Sequence, residues 1–260
     1  MDPRRKTLRR EAVLEAVART EWDAIPGSGS LFTPAVIAPA FAALASATSE
    51  NEAFIAVRPL ANGGLRHDHS GILHPGAVVA APLLLDLLAE LDSDAVLPAF
   101  RALLYALLRD SGPWFQEPYA IGPTGGEQLL CCAIADTVRA RSALLTSRGQ
   151  CGLNVLQAAN EHWSFTVAEV AEVERPGGTL ALGRLTGMPE RKYAPCELRR
   201  PHRQIFQLTA RVNVLHSPAD PSTGQPTGQS GEALLRIYDI EPDRLQVGDI
   251  LAAPCHDSLS

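Results

Sequence analysis

Apolar positions along the chain follow two different periods. Up to about residue 147 bulky residues recur every three or four positions, the spacing of a helix with one buried face; past residue 160 they alternate, as in a half-buried strand. Residues 2 to 20 set Leu8, Val13, Leu14 and Val17 among charges, which predicts a polar rod with one apolar stripe. After the Gly/Ser break "IPGSGS", the stretch "PAVIAPAFAALASAT" (34 to 48) predicts a second helix, with Pro39 kinking it or moving its start. Ser49 and Glu52 have the spacing of a capping box and predict a third helix running to about Leu60, stopped by Gly63 and Gly64. In "PGAVVAAPLLLDLLAELD" (75 to 92) leucines 84, 85, 88 and 91 share a face that Leu83 and Leu87 widen, so this helix is expected to be buried around much of its circumference. Pro82 is expected to split or kink it. Residues 95 to 110 and 127 to 147 read as two further helices, the first preceded by N-cap candidates Asp92, Ser93 and Asp94.

The alternating half begins with "SFTVAEVAEVE" and "TLALGRLT", which read as a hairpin across "RPGG". "FQLTARVNV" (206 to 214) alternates without a fault, and "EALLRIYDI" and "DILAAP" supply two more strands. Residues 216 to 231 are turn formers throughout and predict a long connection. The simplest arrangement is α+β: an N-terminal helical domain (1 to 155) followed by a small antiparallel β domain (156 to 260).

Composition narrows the class. Charged residues make up 20 % of the 260 and apolar residues 46 %, the balance of a globular chain. No apolar run approaches the roughly 18 residues of a spanning helix. The basic N-terminal stretch lacks the apolar core of a secretory signal, and five cysteines without a C-x-x-C pair do not form a disulfide framework. A cytoplasmic location is the expectation. A net charge of −6 argues against a dedicated nucleic-acid binder and suits a neutral or basic partner.

The Ala- and Leu-rich helices with Pro and Gly at their ends resemble the stacked helix pairs of HEAT and armadillo solenoids. In particular, "SGILHPGAVVAAPLLLDLLAEL" is similar to a segment of bacterial HEAT-repeat-like proteins, in which a His and a Gly precede a helix with a buried proline and a leucine run. The likeness covers residues 33 to 147. It implies a HEAT-like packing scaffold with a binding face and brings no catalytic set.

Candidate chemistry is concentrated in "RHDHSGILHPG" (66 to 76). His67, His69 and His74 are candidate zinc ligands, with Asp68 available to orient a ring; zinc needs three or four converging donors. The competing reading is a hinge in which one imidazole caps the next helix. Cys131 and Cys132 are neighbours on a helix, diverge by about 100°, and suit core filling better than a shared site. The basic run 191 to 204 holds Arg191, Lys192, Arg199, Arg200, His202 and Arg203, either gripping an acidic partner or a phosphate, or lying as a solvated loop. Trp114, Phe115 and Tyr119 fall in one long loop and are interface anchors or a cover for a helix end. No G-x-S-x-G, H-E-x-x-H or G-x-G-x-x-G spacing occurs. The expectation is therefore a non-enzymatic protein-binding module without a cofactor, whose partner is another protein of neutral or basic character, with an immunity or antitoxin role as one specialisation. The alternative is a zinc-dependent hydrolase centred on the three histidines.

Overall fold

A computed structural model of the chain describes residues 3–25, 32–67, 69–91, 93–109, 119–120, 127–172, 178–187, 189, 194–200, 204–208, 210–216, 231–238, 240 and 242–254. The fold is α+β, helices first and an antiparallel sheet after, in two compact units, Met1–Ala158 and Ala159–Ser260. Among the described residues no helix is long and apolar enough to cross a membrane.

In the first unit, α1 (Pro3–Arg19) is tied off where the Trp22 indole N–H donates to the Val17 carbonyl, 2.9 Å away. α2 (Ile37–Ser46) starts two residues before Pro39, so the proline moves the helix start instead of kinking it: in the first turn its missing N–H has no helical partner to lose. α3 (Glu50–Pro59) carries the expected capping box. The Ser49 hydroxyl accepts from the Glu52 N–H at 3.3 Å, and Glu52 Oε2 accepts from the N–H groups of Ser49 and Thr48. The helix is undone over Leu60–Gly64, where Gly63 takes φ +108°.

α4 (Gly76–Glu90) is one continuous helix through Pro82. The expected split does not occur: the helix runs on through Pro82, with α1 and α6 packed against it. Ala77, Ala80, Ala81, Leu84, Leu85, Leu87 and Leu88 are all at most 2 % exposed, the near-complete burial that its leucine pattern required. At its far end Arg148 Nη2 donates to the carbonyls of Leu88 (2.6 Å) and Leu91 (2.9 Å), satisfying groups the helix leaves open. α5 (Leu97–Leu108) buries Phe100, Leu103, Leu104 and Leu107 and packs on α3 and α4.

Residues 127 to 147 form three elements where one helix was expected. A two-residue ladder joins β1 (Tyr119–Ala120) to β2 (Glu127–Gln128), followed by α6 (Leu130–Ala140) and α7 (Ser142–Ser147). A further helix, α8 (Gly149–Glu161), follows; two glycines and two asparagines in it hid it from a propensity reading. Gly152 is required there, because a Cβ would lie 1.9 Å from the Leu145 carbonyl oxygen.

The second unit is built from β3 (Ser164–Glu172), β4 (Thr179–Thr186), β5 (Ala194–Arg200), β6 (Gln204–Leu208), β7 (Ala210–His216), β8 (Gly231–Tyr238) and β9 (Ile250–Ala252). All pairings are antiparallel. The order runs β6-β5-β7-β8-β4-β3-β9, and β9 also pairs with β5, so six strands close on themselves. Alternate residues fill the interior: Phe165 and Val167, Ala181 and Leu185, Cys196 and Leu198, Val212, Leu235 and Ile237, Leu251. Gly183 lies where the Phe165 ring crosses β4; a Cβ there would stand 2.8 Å from that ring and 2.0 Å from the Thr166 carbonyl oxygen.

Candidate functional site

The histidine run is a short hairpin that ends in a helix cap. His67 N–H donates to the Ile72 carbonyl (2.8 Å), Gly71 N–H to the His67 carbonyl (2.9 Å) and His74 N–H to the Leu65 carbonyl (2.9 Å), around a bridge between Arg66 and Leu73. Gly71 takes the φ of +72° that the turn demands. His67 Nδ1 lies 2.8 Å from the Ser70 hydroxyl and accepts the Ser70 N–H at 3.3 Å, so its imidazole braces the turn. The rings of His67 and His69 meet edge to face with centroids 5.9 Å apart.

His74 has a separate task. It is 3 % exposed, stacked at a tilt against Phe32 with centroids 4.7 Å apart, and its Nδ1 accepts the N–H of Gly76, the first residue of α4, at 3.0 Å. Imidazole here does the work that Ser or Asp usually does at a helix start. Because Nδ1 is the acceptor, the proton of the neutral ring sits on Nε2. Burial lowers the pKa of this ring below its ordinary 6.5. Gly76 is part of the device, since a Cβ at that position would stand 2.8 Å from Nδ1. His67, His69 and His74 do not bring their ring nitrogens within 4.8 Å of one another, and one nitrogen of His74 is already committed to the backbone. The structure therefore does not assemble the three as a zinc ligand set; Asp68 lies outside the described residues.

The basic run is a correction of another kind. Where a solvated loop was the bland reading, Ala194–Arg200 is the strand β5, and its two arginines are turned to internal use. Arg199 pairs with the buried Glu197 at 3.3 Å and donates to the Ala253 carbonyl at 3.0 Å. Arg200 forms a two-pronged pair with the buried Asp249 (3.0 and 3.2 Å) and donates to the Arg244 carbonyl at 2.6 Å. The hydrogen bonds to Asp249 raise the guanidinium pKa further, and Asp249 Oδ2 also accepts the Gln246 N–H. These contacts pin the 242–249 segment to the barrel. Arg191, Lys192 and Arg203 lie outside the described residues, as do His202, Trp114 and Phe115; Tyr119 opens β1 opposite Gln128.

None of the described cysteines is in a disulfide; Cys131, Cys132 and Cys196 are buried, and Cys151 is half-buried. Burial, with Glu197 beside it, pushes the Cys196 thiol up to about 12, so it stays protonated and inert inside the barrel.

One surface feature escaped the reading of the sequence. α3 buries Ala53, Ala56 and Val57, which leaves Phe54 40 % and Ile55 63 % exposed side by side on its outer face. The signal was in the pattern: two bulky apolar residues, Phe54 and Ile55, stand between Ala53 and Ala56 and fall off the stripe that Ala53, Ala56, Val57 and Leu60 define.

No known protein family model matches the chain. No curated protein matches it either.

Proposed function

We propose that the chain is a non-enzymatic protein-binding module whose helical unit presents an apolar contact surface to another protein. The observation that carries this reading is the adjacent exposed pair Phe54 and Ile55. An exposed apolar side chain standing singly is ordinary, whereas a paired bulky set on a helix held in place by a capping box is a preformed anchor. Phe54 lies on a helix whose inner face is filled by alanine and valine, so the bulky residues serve the outside. The aromatic run Trp114, Phe115 and Tyr119 adds residue types that concentrate binding energy. An immunity or antitoxin role is one specialisation of such a module, since it requires only tight binding to one partner.

Site-directed photo-crosslinking in the source cells tests the reading. A photoreactive residue at position 55 or 119 is expected to give one discrete heavier adduct containing a second protein, while one at the exposed Thr146 gives none. The same adducts from all three positions, or none from any, would overturn it.

A further inference from the structure

We infer that the junction between the 65–74 hairpin and α4 is an acid-operated latch: a proton taken up by His74 Nδ1 frees the hairpin and the helix start from each other while the rest of the helical unit stays folded. The hairpin is fastened at few points. At its near end the Gly63 carbonyl accepts the Thr33 N–H and the Gly63 N–H donates to the Arg66 carbonyl, both at 2.7 Å. Towards α4, the His74 ring accepts from Gly76 at 3.0 Å and the His74 carbonyl accepts from Ala77 at 2.8 Å. Leu65, Ile72 and Leu73 are its buried apolar side chains.

Imidazole makes this junction sensitive to acid. A serine or asparagine oxygen accepts an N–H at any ordinary pH, whereas Nδ1 stops accepting once protonated and turns a donor on the Gly76 N–H. Two further penalties have the same sign. The imidazolium would be buried, the ring residue being 3 % exposed, and it would stand at the positive end of the α4 dipole. The charges around it do not offset them. The hairpin contributes Arg66, His67 and His69, with Asp68 outside the described residues, and the turn at Trp22 contributes Glu21 and Asp23, both exposed. Arg58 lies at the end of α3, while Glu15 and Arg19, near the end of α1, pair with each other. Residues 32–46 and α4 ahead of Asp86 carry no charged or titratable group. Among the described residues no carboxylate contributes to the pKa of the ring, which burial alone lowers.

Amide hydrogen exchange followed by NMR tests the latch, with rates corrected for their intrinsic dependence on pH. The amides of His67, Gly71, His74 and Gly76 are expected to be less protected than those of Leu103 and Leu104 in α5, and to exchange through an opening that low urea scarcely promotes. Between pH 7.5 and 5.5 their protection is expected to fall several-fold, approaching the roughly tenfold that one proton allows when the open form titrates at the ordinary 6.5. His74→Asn keeps an acceptor for Gly76 and is expected to abolish that fall. His67→Asn removes the neighbouring imidazole that accepts the Ser70 N–H and is expected to leave the fall in place. A fall that survives His74→Asn, or that vanishes in His67→Asn, would overturn the inference. So would hairpin amides with the protection and urea dependence of Leu103, since the opening would then be that of the whole unit. Should His74→Asn not fold, the imidazole nitrogen shifts of the natural chain decide: an Nε2–H tautomer titrating below free histidine supports the latch, and a midpoint at or above that of free histidine overturns it.

Discussion

At the scale of single residues, the chain repeatedly uses polar side chains to finish backbone hydrogen bonding, and His74 is the clearest case. Its folded-state pKa lies below the ordinary 6.5, so the native state binds fewer protons than the unfolded chain once the pH falls into that range. The stabilisation that the neutral ring supplies is whole above pH 6.5 and is lost progressively as the pH drops below it. Urea unfolding at pH 7.5 and pH 5.5 should show this loss in the natural chain and a smaller one in His74→Asn, which keeps an acceptor but does not titrate. Equal losses in the two proteins would remove His74 from the account. Ser49→Ala should cost about 1 kcal/mol, the usual worth of an N-cap oxygen, read from the same urea titrations at neutral pH. Gly183→Ala meets both a carbonyl and the Phe165 ring, and we expect a loss of about 3 kcal/mol. A shift too small to measure would mean that β4 can move away from β3.

Between residue and molecule lie the elements, and here legibility depended on how cleanly a pattern expressed one period. α3 and its capping box, the buried leucine face of α4 and the hairpin of β3 with β4 could be read in the sequence because local spacing and tertiary burial demand the same thing. α8 could not, because Gly149, Gly152, Asn154 and Asn160 argue against a helix locally; the close approach that Gly152 permits at Leu145 answers them. β5 was concealed by its charges. Ala194, Cys196 and Leu198 do alternate with Glu197 and Arg199, but the charged run around them hides the pattern, and only the pairing of Arg200 with Asp249 and of Arg199 with the Ala253 carbonyl, some fifty residues away, explains why a strand tolerates these charges. The histidine run was ambiguous for a related reason: spacing permits zinc, whereas the distances assign one ring to a turn and another to a helix start. If the Arg200 to Asp249 contact pins the 242–249 segment, Asp249→Ala should speed amide hydrogen exchange at Gln246 and its neighbours before it affects β3 and β4. Uniform acceleration throughout the second unit would instead mark the pair as a support of the whole barrel.

For the molecule as a whole, the order of helices first and an antiparallel sheet after follows from the change of period near residue 160, and that much was legible from the outset. Barrel closure was not, because it depends on the three-residue strand β9 pairing with both β3 and β5, a long-range match that no local pattern announces. The candidate site was legible only in part. Exposed Phe54 and Ile55 become informative once Ala53, Ala56 and Val57 are known to face inward, since apolar residues on a short helix otherwise read as core. A chain that works by holding another protein forms a larger species in an extract of its source cells, and the size of that species reports the partner. Size-exclusion chromatography of the natural chain should show one discrete complex, and the Phe54→Ala/Ile55→Asp variant should elute at the size of the free chain with its fold intact. Elution of both proteins at the free-chain size, or of both in the same complex, would contradict the account.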